Sequence, residues 1–209
     1  AQDTAIAKKA KEIIDSCYFS ISIDTDVVGV ELGGALKNVI ALGAGMIDGL
    51  SYGNNAKAAF IVQGIKEITA LGVAMGATPH AFTGLACLGD MIVTSFSPFS
   101  RNHYAGMQLA EGHSLKEITN SMPHVAEGIT TTLAAHQLAK RLAIDMPIVE
   151  QIYKVLYEGV KPEKAMAKWI ESPGEEVKVS LLSRLTRWQR ARSRDKTRNQ
   201  KLSPSSSHS

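Results

Sequence analysis

Lys37 and Asn38 interrupt a stretch of the chain, GGALKNVIALGAGMIDGL (33–50), that is otherwise mostly apolar or glycine. The apolar residues recur nearly all the way round a helix, which predicts a helix that is buried on most sides. A buried ammonium is costly unless an anion meets it, so we expect Lys37 to contact a carboxylate or an anionic ligand. Burial also favours the neutral form of an amine, which can accept a proton from a hydroxyl group. Proton transfer is therefore the chemistry that this segment indicates.

A second group of polar residues lies in LGDMIVTSFSPFSRN (88–102). Asp90 and Thr94 are four residues apart and share one helix face, while Ser100 and Arg101 stand where a new helix should begin. The free N–H groups of a helix start, its positive dipole end and an adjacent Arg suit a phosphate or another anion. Two alternatives need no ligand: Ser100 only caps the helix beside a solvated Arg101, and Thr94 hydrogen-bonds its own helix backbone.

The elements that position these residues are mainly helices. The pattern predicts an amphipathic helix over 4–15 and one or two short strands in CYFSISIDTDVVGVE, ending near Val28. Everything after that reads as helix, over 30–49, 55–75, 79–95, 101–110, 114–121, 126–143, 147–158 and 162–171.

Capping residues support some of these boundaries. A cap by Asn54 or Asn55 explains the start of the 55–75 helix and the polar residues there, Lys57 included, without a ligand. Ser114 and Glu117 have the spacing of a capping box.

The composition is that of a globular protein, with 44% hydrophobic and 21% charged residues. No uninterrupted apolar stretch reaches the roughly 18 residues of a membrane span, and the first residues lack the pattern of a signal peptide. Neither Cys17, Cys87 nor the histidines have the spacing of metal ligands, so we expect no metal. The two separate thiols fit a reducing compartment, for which the cytoplasm is the default and a plastid or another organelle stays open.

The basic charge of the chain is concentrated at its C-terminus. From Lys178 onward nine Lys or Arg stand against one acidic residue, so the net charge of +3 hides an acidic remainder. Residues 175–209 are also serine-rich and poor in apolar residues, which predicts a disordered tail. One alternative function is therefore a catalytically silent helical module that binds nucleic acid through this tail, although we do not expect nucleic acid to be the partner.

Four segments in this order carry a family resemblance. Between about Cys17 and Pro173, GVELGGALKNVIALGAGMIDGL, YGNNAKAAFIVQGIKEI, GLACLGDMIVTSFSPFSRNHYAG and VAEGITTT resemble the C-terminal, substrate-binding domain of NAD(P)-dependent glycerol-3-phosphate dehydrogenase. The resemblance implies a mainly α, multi-helix domain over 29–174, similar to the C-terminal domain of 6-phosphogluconate dehydrogenase. Residues 1–28 would be a helix and strand remnant of a Rossmann domain. The second alternative is a related dehydrogenase that shares the helical domain but acts on another hydroxy acid or phosphosugar.

The resemblance also implies roles for individual residues. Lys37 would be the acid/base that moves a proton as sn-glycerol 3-phosphate and dihydroxyacetone phosphate are interconverted. The family binds the substrate with residues that match Lys37, Asp90, Ser100, Arg101 and Asn102, and it places Arg101, Val125 and Glu127 beside NAD or NADP. From the chemistry of the site we add Asn38, which would hydrogen-bond the reacting region, and Thr94, which shares the face of Asp90.

The main cofactor site is expected to lie outside this sequence. No GxGxxG follows a predicted strand, so the residues do not include the phosphate-binding turn of a dinucleotide-binding domain. We therefore interpret the 209 residues as an incomplete enzyme that is inactive alone and homodimeric when complete. These residues do not determine whether the cofactor is NAD or NADP. The resemblance implies a place in glycerol-3-phosphate and carbohydrate metabolism and in phospholipid biosynthesis.

Overall fold

The computed structural model describes residues 1–122 and 125–171, and in these it contains nine α-helices and no β-strand. In chain order the helices are α1 (Thr4–Ile14), α2 (Val27–Gly49), α3 (Asn54–Ala74), α4 (Asp90–Phe96), α5 (Arg101–Ala110), α6 (Leu115–Ser121), α7 (Glu127–Leu142), α8 (Pro147–Tyr157) and α9 (Pro162–Glu171). A 3-10 helix, Pro79–Thr83, and a short π-helix, Leu85–Gly89, lie between α3 and α4. The mainly α class is confirmed, whereas the predicted tail at 175–209 lies outside the described residues.

Helix α2 is the centre of the fold, and α3, α4, α5, α7 and α8 all pack against it. Every residue from Leu36 to Ile47 is buried except Lys37, which confirms the prediction of a helix buried on most sides. By length and composition alone α2 is also long and apolar enough to cross a membrane. However, 56% of its most apolar window is buried inside the fold, and the core helix of a globular protein passes the same test.

Glycines bring α2 and α5 into close contact. A Cβ at Gly45 would collide with the carbonyl oxygen of His103, and a Cβ at Gly106 would collide with that of Leu42. Only glycine allows two helix backbones to approach in this way. Helix α5 is therefore held directly against the second half of α2.

The strands predicted before α2 are absent, so that prediction is wrong. Residues 15–26 form no regular element. Instead, side chains of α1 and its C-cap bind this segment: Lys11 donates to the carbonyl of Ile21 at 2.5 Å, and Asp15 accepts from its N–H at 2.7 Å. A β-branched run needs partner strands to form a stable sheet, and the described residues offer none.

Helix α2 begins at Val27, earlier than the predicted residue 30, because Asp26 caps it. Asp26 accepts from the N–H of Gly29 at 2.8 Å and, through its other oxygen, from the N–H and hydroxyl of Thr78 at 2.5 and 2.8 Å. The bond from the Thr78 backbone and then that from Gly29 lower the pKa of the Asp26 carboxyl. One carboxylate thus starts α2 and fixes the loop after α3.

The single helix predicted over 79–95 is also wrong. The extended backbone of Gly84 divides that stretch into the 3-10 helix and the π-helix, and α4 follows. Likewise, Gly53 rather than Asn54 or Asn55 precedes α3 and provides no side-chain cap, so the capping explanation of Lys57 fails. The other predicted helices are confirmed to within one or two residues, and so is the capping box at the start of α6.

A buried carboxyl group of α3 caps α8. Glu67 is completely buried and accepts hydrogen bonds from the N–H groups of Ile148 and Val149, at 2.9 and 3.3 Å. Desolvation raises the pKa of Glu67 to about 8, and the two N–H donors only partly oppose this. Because α8 has no side-chain cap of its own, Glu67 links the two helices.

We predict that the buried carboxyl group of Glu67 makes the folded state less stable as the pH rises. Folded Glu67 keeps its proton up to about pH 8, whereas the unfolded chain loses it near 4.5, so the stability is present at low pH and is lost between these values. Unfolding measurements should show the free energy of unfolding of the wild type falling with pH relative to that of Glu67→Gln by up to about 1.4 kcal/mol per pH unit, with a matching fall in Tm. The exposed variant Glu163→Gln should follow the wild type. A pH-independent difference between wild type and Glu67→Gln would contradict the assignment.

Candidate active site

Lys37, Asp90 and Thr94 form one connected polar group on α2 and α4. The Lys37 ammonium forms an ion pair with Asp90 and lies 3.5 Å from the Thr94 hydroxyl, which donates to the other oxygen of Asp90 at 2.9 Å. Asp90 is thus the carboxylate that the sequence predicts for Lys37. The Thr94 hydroxyl bonds side chains, so the alternative in which it bonds its own helix backbone is wrong.

The ion pair is partly open to solvent. The Lys37 side chain is 17% exposed and that of Asp90 is 41% exposed. Gly89 and Asp90 both have helical backbone, so α4 continues directly from the π-helix Leu85–Gly89 and Asp90 lies inside this continuous helical stretch. The packing of α4 against α2 brings Asp90 to Lys37.

Two glycines lie about one turn before Lys37, and the fold explains only one of them. A Cβ at Gly33 would lie 2.6 Å from the Cβ of Cys87, so packing requires glycine there. At Gly34, by contrast, no atom of the described chain lies within 4 Å of the place a Cβ would take. Glycine inside a helix costs about 1 kcal/mol relative to alanine. The surface of α2 next to Lys37 and Asn38 is thus open, without a packing reason for its glycine.

Ser100 and Arg101 form the start of α5 as predicted. The Ser100 hydroxyl accepts from the N–H of His103 at 3.2 Å, so it caps the helix. Arg101 is the first residue of α5 and is exposed. The first N–H groups of a helix have no partner within it. The guanidinium and these N–H groups together can bind an anion.

Asn102 ties the start of α5 to α2 and α7. It is buried, donates to the side-chain oxygen of Asn38 at 2.9 Å and accepts from the N–H of Gly128 at 2.8 Å. A Cβ at Gly128 would lie 2.5 Å from the carbonyl oxygen of Asn38, so glycine is needed for this approach. The Asn102 side chain is therefore used inside the fold.

The three residues that the resemblance placed beside the cofactor lie at two neighbouring helix starts. Arg101 begins α5, Glu127 begins α7, and Val125 is 58% exposed just before α7. The bond between Asn102 and Gly128 joins these two starts. Glu127 also lies 3.4 Å from the amide nitrogen of Asn38. The structure therefore brings this exposed rim close to the residue that follows Lys37.

Cys87 packs beneath α2 and is chemically inert there. Burial, and then the charge of Asp90, raise the pKa of its thiol to about 11. The thiol stays protonated at neutral pH, so it does not act as a nucleophile. Within the described ranges no cluster of three or more His, Cys, Asp or Glu residues could hold a metal ion.

A second polar cluster, near the C-terminal end of α2, was missed from the sequence. One oxygen of Asp48 binds the Lys57 ammonium at 2.6 Å and a ring nitrogen of His103 at 2.7 Å. The ammonium also lies 4.1 Å from the centre of the Phe96 ring. The sequence does contain a signal for it, because Asp48 is a charged residue in the same apolar stretch that drew attention to Lys37.

The site lies in a region that matches a known family. Residues 26–167 match the family model described as NAD-dependent glycerol-3-phosphate dehydrogenase C-terminus. A glycerol-3-phosphate dehydrogenase (NAD(P)+) of Dehalococcoides mccartyi is 52% identical over 162 residues, 78% of this chain and 45% of the relative. One from Lactococcus lactis subsp. cremoris is 54% identical over 154 residues, 74% of this chain and 45% of the relative.

Solved structures agree with this match. The crystal structure of glycerol-3-phosphate dehydrogenase from Coxiella burnetii superposes with a TM-score of 0.78 at 35% identity and covers 81% of this chain and 52% of that one. The enzyme of Saccharomyces cerevisiae gives a TM-score of 0.69 at 29% identity and covers 76% and 47%. The chain thus spans about half the length of the proteins that it matches.

We predict that Asn102 stabilises the junction of α2, α5 and α7. Asn102→Ala would leave the N–H of Gly128 and the oxygen of Asn38 without their buried partner, at a cost of about 1 to 3 kcal/mol. Urea unfolding of the chain measures this loss. Asn120→Ala, an exposed position on α6, is the control and should change the free energy of unfolding by less than about 0.5 kcal/mol. Equal effects of the two variants would show that the hydrogen bonds of Asn102 do not stabilise this junction.

Proposed function

Because this chain belongs to the NAD-dependent glycerol-3-phosphate dehydrogenase family, where it matches the C-terminal domain, we propose that its site binds glycerol 3-phosphate and dihydroxyacetone phosphate and moves a proton between them and Lys37. The observation that carries the proposal is the open pair of Lys37 and Asp90, joined through Asn38 and Asn102 to the anion-binding start of α5. A short phosphorylated alcohol has the two groups that these two parts suit, a hydroxyl and a phosphate.

Lys37 is the proposed acid/base. In the reducing direction its ammonium donates a proton to the carbonyl oxygen of dihydroxyacetone phosphate, and in the oxidising direction the amine takes the proton of the C2 hydroxyl. Asp90 holds the Lys37 nitrogen, and Thr94 holds Asp90, so the group that moves the proton is oriented before substrate binds. The exposure of Asp90 leaves room for a substrate hydroxyl to contact the same carboxylate.

The start of α5 is the proposed phosphate site. Arg101 supplies charge-assisted bonds, and the N–H groups of Arg101 and Asn102, together with the cap residue Ser100, face an anion at the helix start. The amide nitrogen of Asn38 makes only long contacts, 3.4 Å to Glu127 and 3.5 Å to the carbonyl of Gly34, which a substrate oxygen can replace. The open surface at Gly34 gives the carbon chain of the substrate space between the two parts.

Oxidation at C2 needs a hydride acceptor, which NAD or NADP supplies when bound. The described residues contain no strand and hence no Gly-rich strand-to-helix turn, so they fit only the edge of such a cofactor. Arg101, Val125 and Glu127 are the proposed contacts at this edge, since they lie together on the exposed rim. In this proposal, residues other than the described ones form most of the cofactor site.

The wider setting is proposed from the family resemblance alone. The complete protein would act as a homodimer in the cytoplasm and supply or consume glycerol 3-phosphate for phospholipid synthesis and carbohydrate metabolism. The same resemblance favours glycerol 3-phosphate over other phosphosugars, because the Ser100–Asn102 motif follows Asp90 at the family spacing.

We predict that Lys37 is essential for turnover but not for folding. In a chimera that carries residues 26–167 in place of the matching region of the 52% identical relative, Lys37→Ala should lower kcat by at least about a hundredfold, the usual contribution of a general acid or base. Lys66→Ala, an exposed lysine on α3, should leave kcat unchanged. If Lys37→Ala kept kcat within about tenfold of the parent chimera, another group would be the acid/base.

A second prediction concerns the phosphate. In the same chimera, Arg101→Ala should raise the KM for glycerol 3-phosphate by at least about tenfold, since a charge-assisted bond contributes about 1.5 to 3 kcal/mol. Turnover of unphosphorylated glycerol, which presents no dianion, should change far less. Arg141→Ala, on an exposed turn at the end of α7, is the control for general loss of positive charge. Equal losses with both substrates would show that Arg101 does not bind the phosphate of the substrate.

A further inference from the structure

The cluster around Asp48 joins four helices near the C-terminal end of α2, eleven residues after Lys37. Asp48 lies near the end of α2, Lys57 in the first turns of α3, Phe96 at the end of α4 and His103 in the first turn of α5. Lys57 and His103 are both buried, and the same oxygen of Asp48 binds both, at 2.6 and 2.7 Å. A buried ammonium needs such a partner, because leaving it unpaired is strongly unfavourable.

This cluster holds the first turn of α5 from one side while Asn102 holds it from the other. Asn102 contacts Asn38, and the next residue, His103, contacts Asp48. Asn38 and Asp48 are ten residues apart on α2, which corresponds to about 15 Å along the helix axis. Two adjacent residues of α5 are thus anchored at widely separated points of one helix. Such an arrangement fixes both the position and the rotation of the α5 start.

The same cluster also holds the far end of α4. The Lys57 ammonium lies 4.1 Å from the centre of the Phe96 ring, within the range of a cation–π contact. Phe96 ends the helix that Asp90 begins, and only the short loop 97–100 separates it from α5. Through Lys57 and His103, Asp48 therefore holds both ends of the segment from Phe96 to His103. This segment connects the helix of Asp90 to the start of α5.

We propose that Asp48 is a positioning residue: through Lys57 and His103 it fixes the separation between the Lys37–Asp90 pair and the phosphate-binding start of α5. The inference rests on the function proposed above. A ligand that spans both parts, such as glycerol 3-phosphate, depends on that separation, whereas inorganic phosphate needs only the start of α5. Asp48 itself touches neither ligand in this proposal.

The test uses the 209-residue chain and two titrants, inorganic phosphate and glycerol 3-phosphate, followed by the backbone amide NMR shifts of Arg101 to His103. The wild type should bind glycerol 3-phosphate more tightly than phosphate. Asp48→Asn should reduce that preference by about fivefold or more, equivalent to about 1 kcal/mol, with little change in phosphate affinity. His103→Leu should act in the same way, and His103→Gln, which keeps a donor at a similar reach, should restore most of the preference.

The matched control is Glu150→Gln. Glu150 also binds a buried histidine and a lysine, His136 and Lys154, both at 3.0 Å, but it does so between α7 and α8. Glu150→Gln should lower the free energy of unfolding without changing the preference for glycerol 3-phosphate over inorganic phosphate. Thermal unfolding of each variant separates loss of folding from loss of position.

The outcomes distinguish the inference from the function on which it rests. If the wild type bound both titrants equally, or neither, the proposed function would be wrong for this site. If the wild type showed the preference and Asp48→Asn kept it, Asp48 would have no positioning role. Tighter binding of both titrants by Asp48→Asn would mean that its negative charge repels anions, and equal weakening of both would mean a merely structural role. Either result would overturn the inference.

Discussion

The fold depends on charged and amide side chains that a largely buried helix cannot satisfy by itself. Helix α2 carries Lys37, Asn38 and Asp48 among apolar neighbours, and each needs a partner from another element because an unpaired polar group inside a protein is costly. The partners come from α4, α5 and α3. Satisfying these three residues therefore arranges the surrounding helices, and glycines at Gly45 and Gly106 let α5 come close enough to do so.

Two lysine–carboxylate pairs in the same domain differ in exposure, and this difference supports a reactive role for one and a structural role for the other in our proposal. The side chain of Lys37 is 17% exposed and its partner Asp90 41%, whereas the corresponding values for Lys57 and Asp48 are 6% and 24%. Lys57 is further enclosed by an aromatic ring, while Lys37 faces an open stretch of α2 beside Gly34. The first pair is therefore more open to solvent than the ammonium of the second. The same chemical unit is thus used once for proton transfer, in our proposal, and once to hold helices in place.

Most helix positions, and the contact of Lys37 with a carboxylate, could be predicted from the sequence because they depend on local signals. Period, caps and Pro or Gly at helix ends located most helices, and Lys37 stood out as a charge in an apolar segment. Features that depend on distant residues could not be predicted. Thr78 completes the contacts of the α2 cap, Glu67 caps α8 from another helix, and the run before α2 lacks a partner strand. Lys57 looked like a capping residue because its partner Asp48 lies on a different helix.

The charges at the two joined helix starts differ, and this difference supports the separate roles that we propose for them. Each start has the positive end of a helix dipole, but at α7 the N–H of Gly128 is already bound by the side chain of Asn102. At α7 the first residue is Glu127, whose carboxylate already balances that positive end, so a second anion there would meet repulsion. At α5 the first residue is Arg101, which adds positive charge to the same kind of site. These charges support our proposal that α5 binds the phosphate, and in the same proposal Glu127 at α7 accepts a hydrogen bond from a hydroxyl-bearing group of the cofactor.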